Sequence, residues 1–468
     1  MLCRRGANSF PGESFLDSDA SQARPHTIVI VGGGAGGLEL ATRLGDRFAR
    51  RRNRGRAQVI LVDRGATHIW KPLLHEVAAG SMDPHTHQLA YAAQANWHGF
   101  EFQQGELLGL DRGARAVLVG AVVDEDGMEV LPARRIGYDT LVLAVGSVTN
   151  FFGVPGTAAN ALPLDTPEQA DRFRRRLISA CMRAENAAPD ASGSTPAAAR
   201  PTVSLAIIGA GATGVELSAE LRNTAQVLSA YGLHRLDPRH DIRIHLIEAG
   251  PRVLPALPQR VADGIVELLR RLDVDVLTGE RVVEVTARSV RTASGRETPA
   301  DLTVWAAGIT APPVLAQLDG LAVNRMGQIE VQQTLQSRSD PDVFAFGDCA
   351  SCPWQATGGT VPPRAQSAHQ QAKFLRRALL ARLAGRELPQ FQFEDFGSLV
   401  SLGHFSAVGN LMGGLIGGSV LIEGLFARIM YTSLYRMHLL ALHGFWRMAL
   451  DTVGHWLRSK TRPRVKLH

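Results

Sequence analysis

The sequence has little cysteine, and its first residues do not have the pattern expected of a signal or transit peptide. Four cysteines among 468 residues are too few for a disulfide framework, so a reducing compartment is expected. The first 26 residues contain no apolar core of a signal peptide, and Glu13, Asp17 and Asp19 are unlike a transit peptide. We predict a disordered arm over residues 1–25.

Long apolar runs suited to a membrane span are also scarce. The best candidate covers residues 405–422, but five of these 18 residues are glycine, and the segment before it reads as strands. We therefore predict no spanning helix there.

The charge is unbalanced towards the positive, with a formal net charge of +6. That balance suits an anionic partner, yet no zinc-finger spacing or recognition-helix pattern accompanies it, so nucleic acid is not predicted. Nor do we predict a metal site. The stretch "RFARRRNRGRA" at 47–57 is interpreted as a solvated loop, with a membrane-facing patch as the alternative.

The sequence is rich in glycine. From His26 onward it also alternates apolar segments predicted to be strands with segments predicted to be helices. The 47 glycines, with 45% hydrophobic residues, favour an α/β protein of two or three packed domains. Runs such as "TIVIV" are short, β-branched and apolar on both faces, as in central strands of a parallel sheet.

Two glycine-rich turns stand out, "IVGGGAGGLEL" and "IIGAGATGVEL", each between an apolar strand and a helix. In this context the first glycine allows a tight turn, the second lets backbone approach a pyrophosphate, and the third lets helix and strand pack closely. The helix N-terminus then offers N–H groups to the phosphates. The turns predict two dinucleotide sites, built on Gly32, Gly34 and Gly37 and on Gly209, Gly211 and Gly214.

Each turn is followed by an acid at the end of the next strand, where a ribose-binding carboxylate is expected. Asp63 ends "VILVD" and Glu248 ends "IHLIE". An acid at the second position favours NADH, with NADPH as the alternative because Arg252 is close in sequence.

Downstream, "DPDVFAFGDCA" resembles the segment with which two-dinucleotide flavoproteins hold FAD, through Gly347 and Asp348. The first turn is therefore assigned to FAD and the second to NADH. We predict an FAD domain at 26–165 and 323–400, an NADH domain at 166–322 with a flexible insertion at 184–200, and a C-terminal region at 401–468. "AVGS", with Ala144 and Gly146, and "WAAG", ending at Gly308, are placed at the crossings between the domains.

Two further motifs identify an electron acceptor by resemblance. "VPPRAQSAHQQ" at 361–371 and "HIWKPLLHEVAAG" at 68–80 resemble the type II NADH:quinone oxidoreductases, single-subunit respiratory dehydrogenases that do not pump protons. The resemblance implies FAD, NADH and a membrane quinone. It implies that Gln366 lies between flavin and quinone, that Gln370 supports the same site, and that Ala365 lies at the flavin edge.

Two charged residues follow from the same resemblance. Lys71 stands where the family commonly has glutamine; we expect it near the flavin or, slightly favoured, pointing to solvent. Glu216 matches a family glutamate near the nicotinamide and flavin. Glu39 has the equivalent place in the first turn, and both are expected in a first helical turn, where the helix dipole stabilises an acid by about 0.3–1 kcal/mol. Glu216 is therefore either a functional acid or a helix stabiliser, with the resemblance favouring function, and Glu39 is a structural or FAD-ribose candidate.

The C-terminal region is predicted to bind the membrane surface. Residues 424–460 read as helical, with apolar residues interrupted by arginines and accompanied by tyrosine and tryptophan, as in helices lying among lipid headgroups. Together with the basic tail, this predicts an amphipathic anchor on an anionic lipid surface, at the cytoplasmic face of a bacterial inner membrane. The alternative is that the same apolar stripe is an internal packing or homodimer surface, and both uses can hold together.

Two alternatives remain open. One is a soluble NADH-dependent flavin reductase of a disulfide or protein, using the C-x-x-C of Cys349 and Cys352; these cysteines otherwise read as ordinary small residues. The other is an NADH-sensing flavoprotein that controls a partner.

Overall fold

Two parallel five-stranded sheets dominate the computed structural model. It describes residues 24–187, 202–230, 235–401, 407–412, 419–423 and 435–444, with single helical residues at 448, 450 and 454. The predicted terminal arm lies outside the described residues up to position 23, as do most of the predicted 184–200 insertion and much of the C-terminal region. The α/β fold with two Rossmann-like units is confirmed.

The first sheet is assembled from distant parts of the chain. Its strands run in the order Val343–Ala345, Thr140–Leu143, His26–Val31, Ala57–Asp63 and Glu101–Gln104. The strand that leads into the first glycine turn is buried from Ile28 to Val31, because helices cover both faces of a parallel sheet. The return of Val343–Ala345 completes this sheet, as the insertion of one unit into the other requires.

The second sheet repeats the arrangement. Its order is Ala161–Pro163, Leu302–Trp305, Val203–Ile208, Ile242–Glu248 and Val274–Thr278. In both sheets the glycine-turn strand lies beside the strand that ends in the acid, so turn and acid meet at the carboxyl edge.

The unit boundaries differ slightly from the predicted positions. Strand Ala161–Pro163 pairs with Leu302–Trp305 in the second sheet, ahead of the predicted start at 166. On the return, Leu315 and Leu321 already pack in the core of the first unit, before the predicted 323. Composition does not reveal these boundaries because they are set by pairing and packing with distant residues.

Helices connect and cover the strands. The α-helices are Ala35–Ala49, Leu74–Ala79, Pro84–His87, Tyr91–His98, Thr157–Asn160, Pro167–Ala187, Ala212–Ala230, Gln259–Arg271 and Ala365–Leu383. Short 3-10 helices lie at Arg51–Asn53, Lys71–Leu73, Pro313–Gln317 and Gly347–Cys349. Helices Ala35–Ala49 and Ala365–Leu383 pack against each other beside the first sheet.

Both units also contain small antiparallel sheets and strand pairs. The three-stranded sheets are Leu107–Asp111 with Ala116–Val119 and Arg134–Gly137, Val282–Val285 with Ser289–Thr292 and Glu297–Pro299, and Gly397–Ser401 with Ala407–Met412 and Ser419–Glu423. The strand pairs are Val148–Thr149 with Ile309–Thr310, Ile329–Glu330 with Ala350–Ser351, Pro353–Trp354 with Gly359–Thr360, Thr67–His68 with Leu89–Ala90, and Val122–Val123 with Glu129–Leu131.

At the C-terminus, the strands predicted around residue 400 are present, and residues 435–444 form a helix. This C-terminal helix packs on the first unit, where Leu442 is fully buried in the core. The rest of the predicted amphipathic segment lies largely outside the described residues. Within the described part, no helix is both long enough and apolar enough to cross a bilayer.

Candidate active site

The first glycine turn has the close contacts that its spacing predicts. Gly32 has φ +105°, and a Cβ there would lie 2.4 Å from the carbonyl oxygen of Ala144. A Cβ at Gly37 would lie 1.9 Å from the Gly32 oxygen, so helix and turn pack too tightly for any side chain. Gly34 faces open space, with no atom within 4 Å of the place where a Cβ would lie, which leaves room for a phosphate.

The second turn reproduces this geometry. Gly209 has φ +100°, and a Cβ at Gly214 would lie 1.9 Å from the Gly209 oxygen. Gly211 faces open space as Gly34 does. Both turns therefore fit a dinucleotide pyrophosphate: the glycines that pack are closed to side chains, and the glycine that faces the ligand is open.

Each acid predicted to bind a ribose folds back onto its own turn. The Asp63 carboxylate accepts hydrogen bonds from the backbone N–H of Gly33 at 2.6 Å and of Gly65 at 2.8 Å. Glu248 accepts from Ala210 at 2.7 Å and Gly250 at 2.8 Å. Burial raises the pKa of Asp63, and the two backbone N–H groups oppose that rise. The acids are thus held at the mouth of each turn, where a ribose would lie.

Asp348 lies at the end of the strand that returns to the first sheet. The Ser147 hydroxyl donates to its carboxylate at 2.8 Å. Burial raises the pKa of Asp348, opposed by the Ser147 hydrogen bond and by the charge of Lys71. The N–H of Gly347 donates to the side chain of Gln371 at 2.8 Å; sequence reasoning missed this buried amide, which anchors the segment to the helix Ala365–Leu383.

The crossings between the units also lie where the motifs predict. Strand Val148–Thr149, directly after "AVGS", pairs with Ile309–Thr310, directly after "WAAG". Gly146 and Gly308 have φ near +70°, a conformation that glycine adopts without strain. Ala144 is buried beside the first turn, where its N–H donates to the Val31 carbonyl.

Lys71 does not simply point to solvent, as the sequence slightly favoured. Its ammonium group donates to the Ser147 carbonyl at 3.0 Å and to Asp165 at 2.9 Å, with 46% of the side chain exposed. Ser147 in turn bonds Asp348. Lys71 therefore joins its loop to the crossing segment and lies near the half-buried carboxylate of Asp348.

The two signature glutamines lie at the start of helix Ala365–Leu383, which begins at Ala365 as the motif requires. Gln366 donates to Asp395 at 3.0 Å and to the Gly397 carbonyl at 3.1 Å. Gln370 donates to the Glu394 carbonyl at 2.7 Å and accepts from its N–H at 3.1 Å. Both amides bind the segment 394–397, and no local motif identifies this segment as their hydrogen-bonding partner.

Glu216 connects the two units. Its carboxylate lies 3.5 Å from Nδ1 of His75, and both side chains are buried. Glu216 and Glu39 are each the fifth residue of their helices, so neither is in the first helical turn, where they were expected. The helix dipole fades within that turn and therefore does not account for either acid.

Glu39 makes two charged contacts instead. Its carboxylate accepts from Nε of Arg43 at 2.7 Å and lies 2.6 Å from Nδ1 of His369. His369 occupies a variable position of the A-Q-x-A-x-Q pattern, so the signature alone did not point to it. Glu39 is therefore a paired acid between two helices.

His68 and Tyr91 both contact the backbone of the first turn at Gly33. Sequence reasoning missed both residues. The Tyr91 hydroxyl donates to the Gly33 carbonyl at 2.8 Å, and Nδ1 of His68 lies 2.9 Å from the same oxygen. A Cβ at Gly33 would strike the Tyr91 ring at 2.5 Å, so this glycine is required as well. The sequence signals were the run of three glycines, Gly32 to Gly34, and the position of His68 at the start of the motif at 68–80.

The two cysteines of the C-x-x-C are buried thiols. Burial raises the pKa of Cys349 to about 11 and that of Cys352 to about 12, so neither ionises readily near neutral pH. Within the described chain, no group of three or more histidine, cysteine or acidic side chains is arranged to hold a metal ion.

The comparisons agree with this geometry. The model of the pyridine nucleotide-disulphide oxidoreductase family matches residues 26–372. A type II NADH:quinone oxidoreductase of Haemophilus influenzae is 42% identical over 446 residues, which cover 94% of this chain and 99% of the relative. The chain belongs to the type II NADH:quinone oxidoreductases. The predicted resemblance is thereby confirmed, and FAD and NADH are the cofactors of this flavoprotein family.

More distant relatives share the same plan. The type II NADH:quinone oxidoreductase Ndh of Mycobacterium tuberculosis is 28% identical, with 93% of this chain and 88% of the relative covered. The solved structure of NDH2 from Plasmodium falciparum in complex with NADH matches with a TM-score of 0.78 and 19% identity, covering 95% of this chain and all of the other. At that identity the structural match shows the fold.

Proposed function

We propose that this chain oxidises NADH and reduces a membrane quinone by two electrons, using FAD, without pumping protons. One observation carries the proposal: two equivalent dinucleotide turns lie in units joined by the paired crossing strands, in a chain 42% identical over nearly its full length to a type II NADH:quinone oxidoreductase. FAD supplies a centre that accepts a hydride from NADH and passes electrons onward. The protein holds FAD and NADH in position relative to each other.

The first turn is assigned to FAD and the second to NADH. The assignment is supported by Asp348, which returns with the strand Val343–Ala345 to the first sheet and lies near the first turn through Ser147. Gly34 and Gly211 leave the space that two phosphate groups need. Asp63 and Glu248 offer carboxylates to the two riboses, and each would exchange its backbone hydrogen bonds for ribose hydroxyls.

The acceptor side is assigned to the start of the helix Ala365–Leu383. Ala365 lies at its first turn, and Gln366 and Gln370 fix the segment 394–397 against it. To donate to a quinone carbonyl, Gln366 would exchange one of its two donated hydrogen bonds, that to Asp395 or that to Gly397. As a neutral amide it adds no charge near the redox centre. Glu216, buried at the junction of the units, is assigned to the nicotinamide side.

The membrane contact is assigned to the C-terminal region. In the helix 435–444 and just beyond, Met437, Leu440 and Leu450 are 51%, 40% and 73% exposed, while Leu442 on another side is buried. Such apolar exposure suits a helix lying in the lipid interface. We place the enzyme on the cytoplasmic face of a bacterial inner membrane, where NADH is produced, and keep a homodimer through this region as a prediction. Truncation after Glu423 should release the protein from membranes.

The deciding experiment is anaerobic. Purified holoenzyme is mixed with NADH, then with ubiquinone or menaquinone, while flavin absorbance is followed. Bleaching by NADH and recovery with quinone are expected. Bleaching without recovery by any quinone would refute the acceptor. Cys349→Ser with Cys352→Ser should leave this turnover unchanged, whereas loss of turnover would favour the disulfide reductase.

A further inference from the structure

The basic segment 47–57 begins beside the middle of the helix Ala365–Leu383, where Arg47 and Arg50 line one cleft with Arg376. Together the two segments carry the eight side chains of the arginine patch: Arg47, Arg50, Arg51, Arg52, Arg54, Arg56, Arg376 and Arg377. Seven of them are exposed and Arg376 is half-buried. Within the described part of the chain none of the eight makes an ion pair. Such uncompensated like charge is costly to hold together unless an anion joins it.

A cleft of about 200 Å³ lies at one side of the patch, between the two helices. It is lined by Arg43, Asp46, Arg47, Arg50 and Arg376. The Nε of Arg376 is buried and has no hydrogen-bond partner. Burial, reinforced by the charges of Arg43 and Arg47, lowers the pKa of Arg376. Asp46 is already engaged by His98 at 2.9 Å, and Arg43 is paired with Glu39 at 2.7 Å. Among the described residues, the guanidinium groups of the cleft that lack an acidic partner are therefore those of Arg47, Arg50 and Arg376.

The patch borders the surface assigned to the membrane. His98 contacts Asp46 in the cleft, and the residue before it, Trp97, is 50% exposed. The ring centroid of Trp97 lies 6.4 Å from that of His443 in the C-terminal helix. An exposed tryptophan and an exposed apolar helix beside clustered arginines describe a surface that meets apolar chains and phosphates together.

We propose that the arginine patch binds the phosphate-bearing headgroups of anionic phospholipids, with one phosphate seated in the Arg47, Arg50 and Arg376 cleft. Guanidinium groups bind phosphate oxygens through paired N–H donors. The first dinucleotide unit then contacts the membrane directly, in addition to the C-terminal region. The inference rests on the proposed membrane location of the quinone, and it replaces the solvated-loop interpretation of residues 47–57.

The test uses the full-length holoenzyme with vesicles of phosphatidylcholine, prepared with or without about 30% phosphatidylglycerol. The phosphatidylglycerol makes about a third of the vesicle surface anionic. The variant Arg47→Gln, Arg50→Gln, Arg376→Gln is compared with Arg172→Gln, Arg176→Gln, Arg183→Gln. The control removes the same charge from an arginine-rich cleft on the helix Pro167–Ala187 of the other unit. Binding is measured by vesicle flotation at low and high salt.

Each arginine near an anionic surface contributes about fivefold in binding before screening by salt. The patch variant should bind phosphatidylglycerol vesicles at least tenfold more weakly, with a shallower salt dependence, while the control stays within about twofold of the wild type. Equal binding by all three proteins, or an equal loss in patch variant and control, would overturn the proposal. Displacement by millimolar inorganic phosphate at constant ionic strength would also overturn it, since that identifies a site for free phosphate.

Two measurements keep this result separate from folding and from the proposed function. Arg50→Gln, Arg52→Gln, Arg54→Gln changes only exposed side chains and should weaken vesicle binding in the same direction. Turnover with a short-chain soluble quinone in detergent should be unchanged in the patch variants. A wild-type protein that binds vesicles through the patch but reduces no quinone would refute the proposed function and still support the lipid site.

Discussion

Nε2 of His68 lies 2.9 Å from Nε2 of His438, and both rings are buried. The contact joins residues 370 positions apart and ties the C-terminal helix to the first glycine turn. The tautomers follow from the partners. Nδ1 of His68 must donate to the Gly33 carbonyl at 2.9 Å, so its Nε2 accepts and Nε2–H of His438 donates. Trp70 stacks on His438 with ring centroids 6.0 Å apart, which fixes the ring plane.

This arrangement makes docking of the C-terminal helix sensitive to acid. Burial lowers the pKa of His68 to about 4, and burial with the charges of neighbouring histidines lowers that of His438 well below its usual value. As pH falls below about 6.5, the unfolded chain takes up protons that the folded pair does not. Stability is therefore present above pH 6.5 and lost progressively as the pH falls towards 4. Thermal unfolding between pH 7.5 and 5 measures it.

The matched variants separate the pair from general acid effects. His438→Leu should lower the thermal midpoint at pH 7.5 and flatten its dependence between pH 7 and 5. His85→Leu, at an exposed position of the short helix Pro84–His87, should change neither. Unaltered pH dependence in His438→Leu would show that the pair does not govern acid stability.

The open glycines predict a loss of binding without a loss of folding. Gly211 has ordinary backbone dihedrals and empty space at its Cβ position, so Gly211→Ala fits the free protein. Its methyl group then occupies the space assigned to the NADH pyrophosphate. We expect the KM for NADH to rise at least about tenfold, the cost of roughly 1.4 kcal/mol, with an unchanged thermal midpoint. Gly264→Ala, an open helical position, is the control; an unchanged KM in Gly211→Ala would contradict the assignment.

Glu216 is predicted to act through its charge at the junction of the units. Glu216→Gln keeps the size of the side chain but removes the carboxylate that faces His75 at 3.5 Å. Stopped-flow reduction of the flavin by NADH should slow at least about tenfold, a loss of about 1.4 kcal/mol of transition-state stabilisation. Glu220→Gln, one turn further along the same helix and also buried, should retain the wild-type rate. Equal slowing in both would indicate a structural role for the helix.

Local motifs predicted the turns well where a glycine is dictated by atoms a few residues away. Gly37 and Gly214 each face the oxygen of the first glycine in their own turn, so spacing alone carries the geometry. The supports of those turns were not predictable in this way. His68 meets His438, and Gln366 meets Asp395, only because the folded units bring distant segments together. Side-chain pairing across such distances leaves no periodic signal in a single sequence.

Gln366 offers the most direct test of the acceptor site. Gln366→Ala removes the donor assigned to the quinone and also three hydrogen bonds that fix the segment 394–397: those to Asp395 and Gly397, and the one from Phe396 at 3.3 Å. Gln370→Ala loosens the same segment through Glu394 without removing the assigned donor. We expect Gln366→Ala to slow flavin reoxidation by quinone at least about tenfold, while reduction by NADH changes by less than about twofold.

The comparison between the two glutamines decides between contact and support. If Gln366 meets the quinone, its variant should be slower in reoxidation than Gln370→Ala, and a ferricyanide assay, which needs no quinone site, should give wild-type rates for both. If the two amides only hold the segment 394–397, both variants should slow reoxidation to the same extent, and raising the quinone concentration should not restore either. A variant of Gln366 impaired first in reduction by NADH would move this residue away from the acceptor, because the damaged step would then precede the quinone.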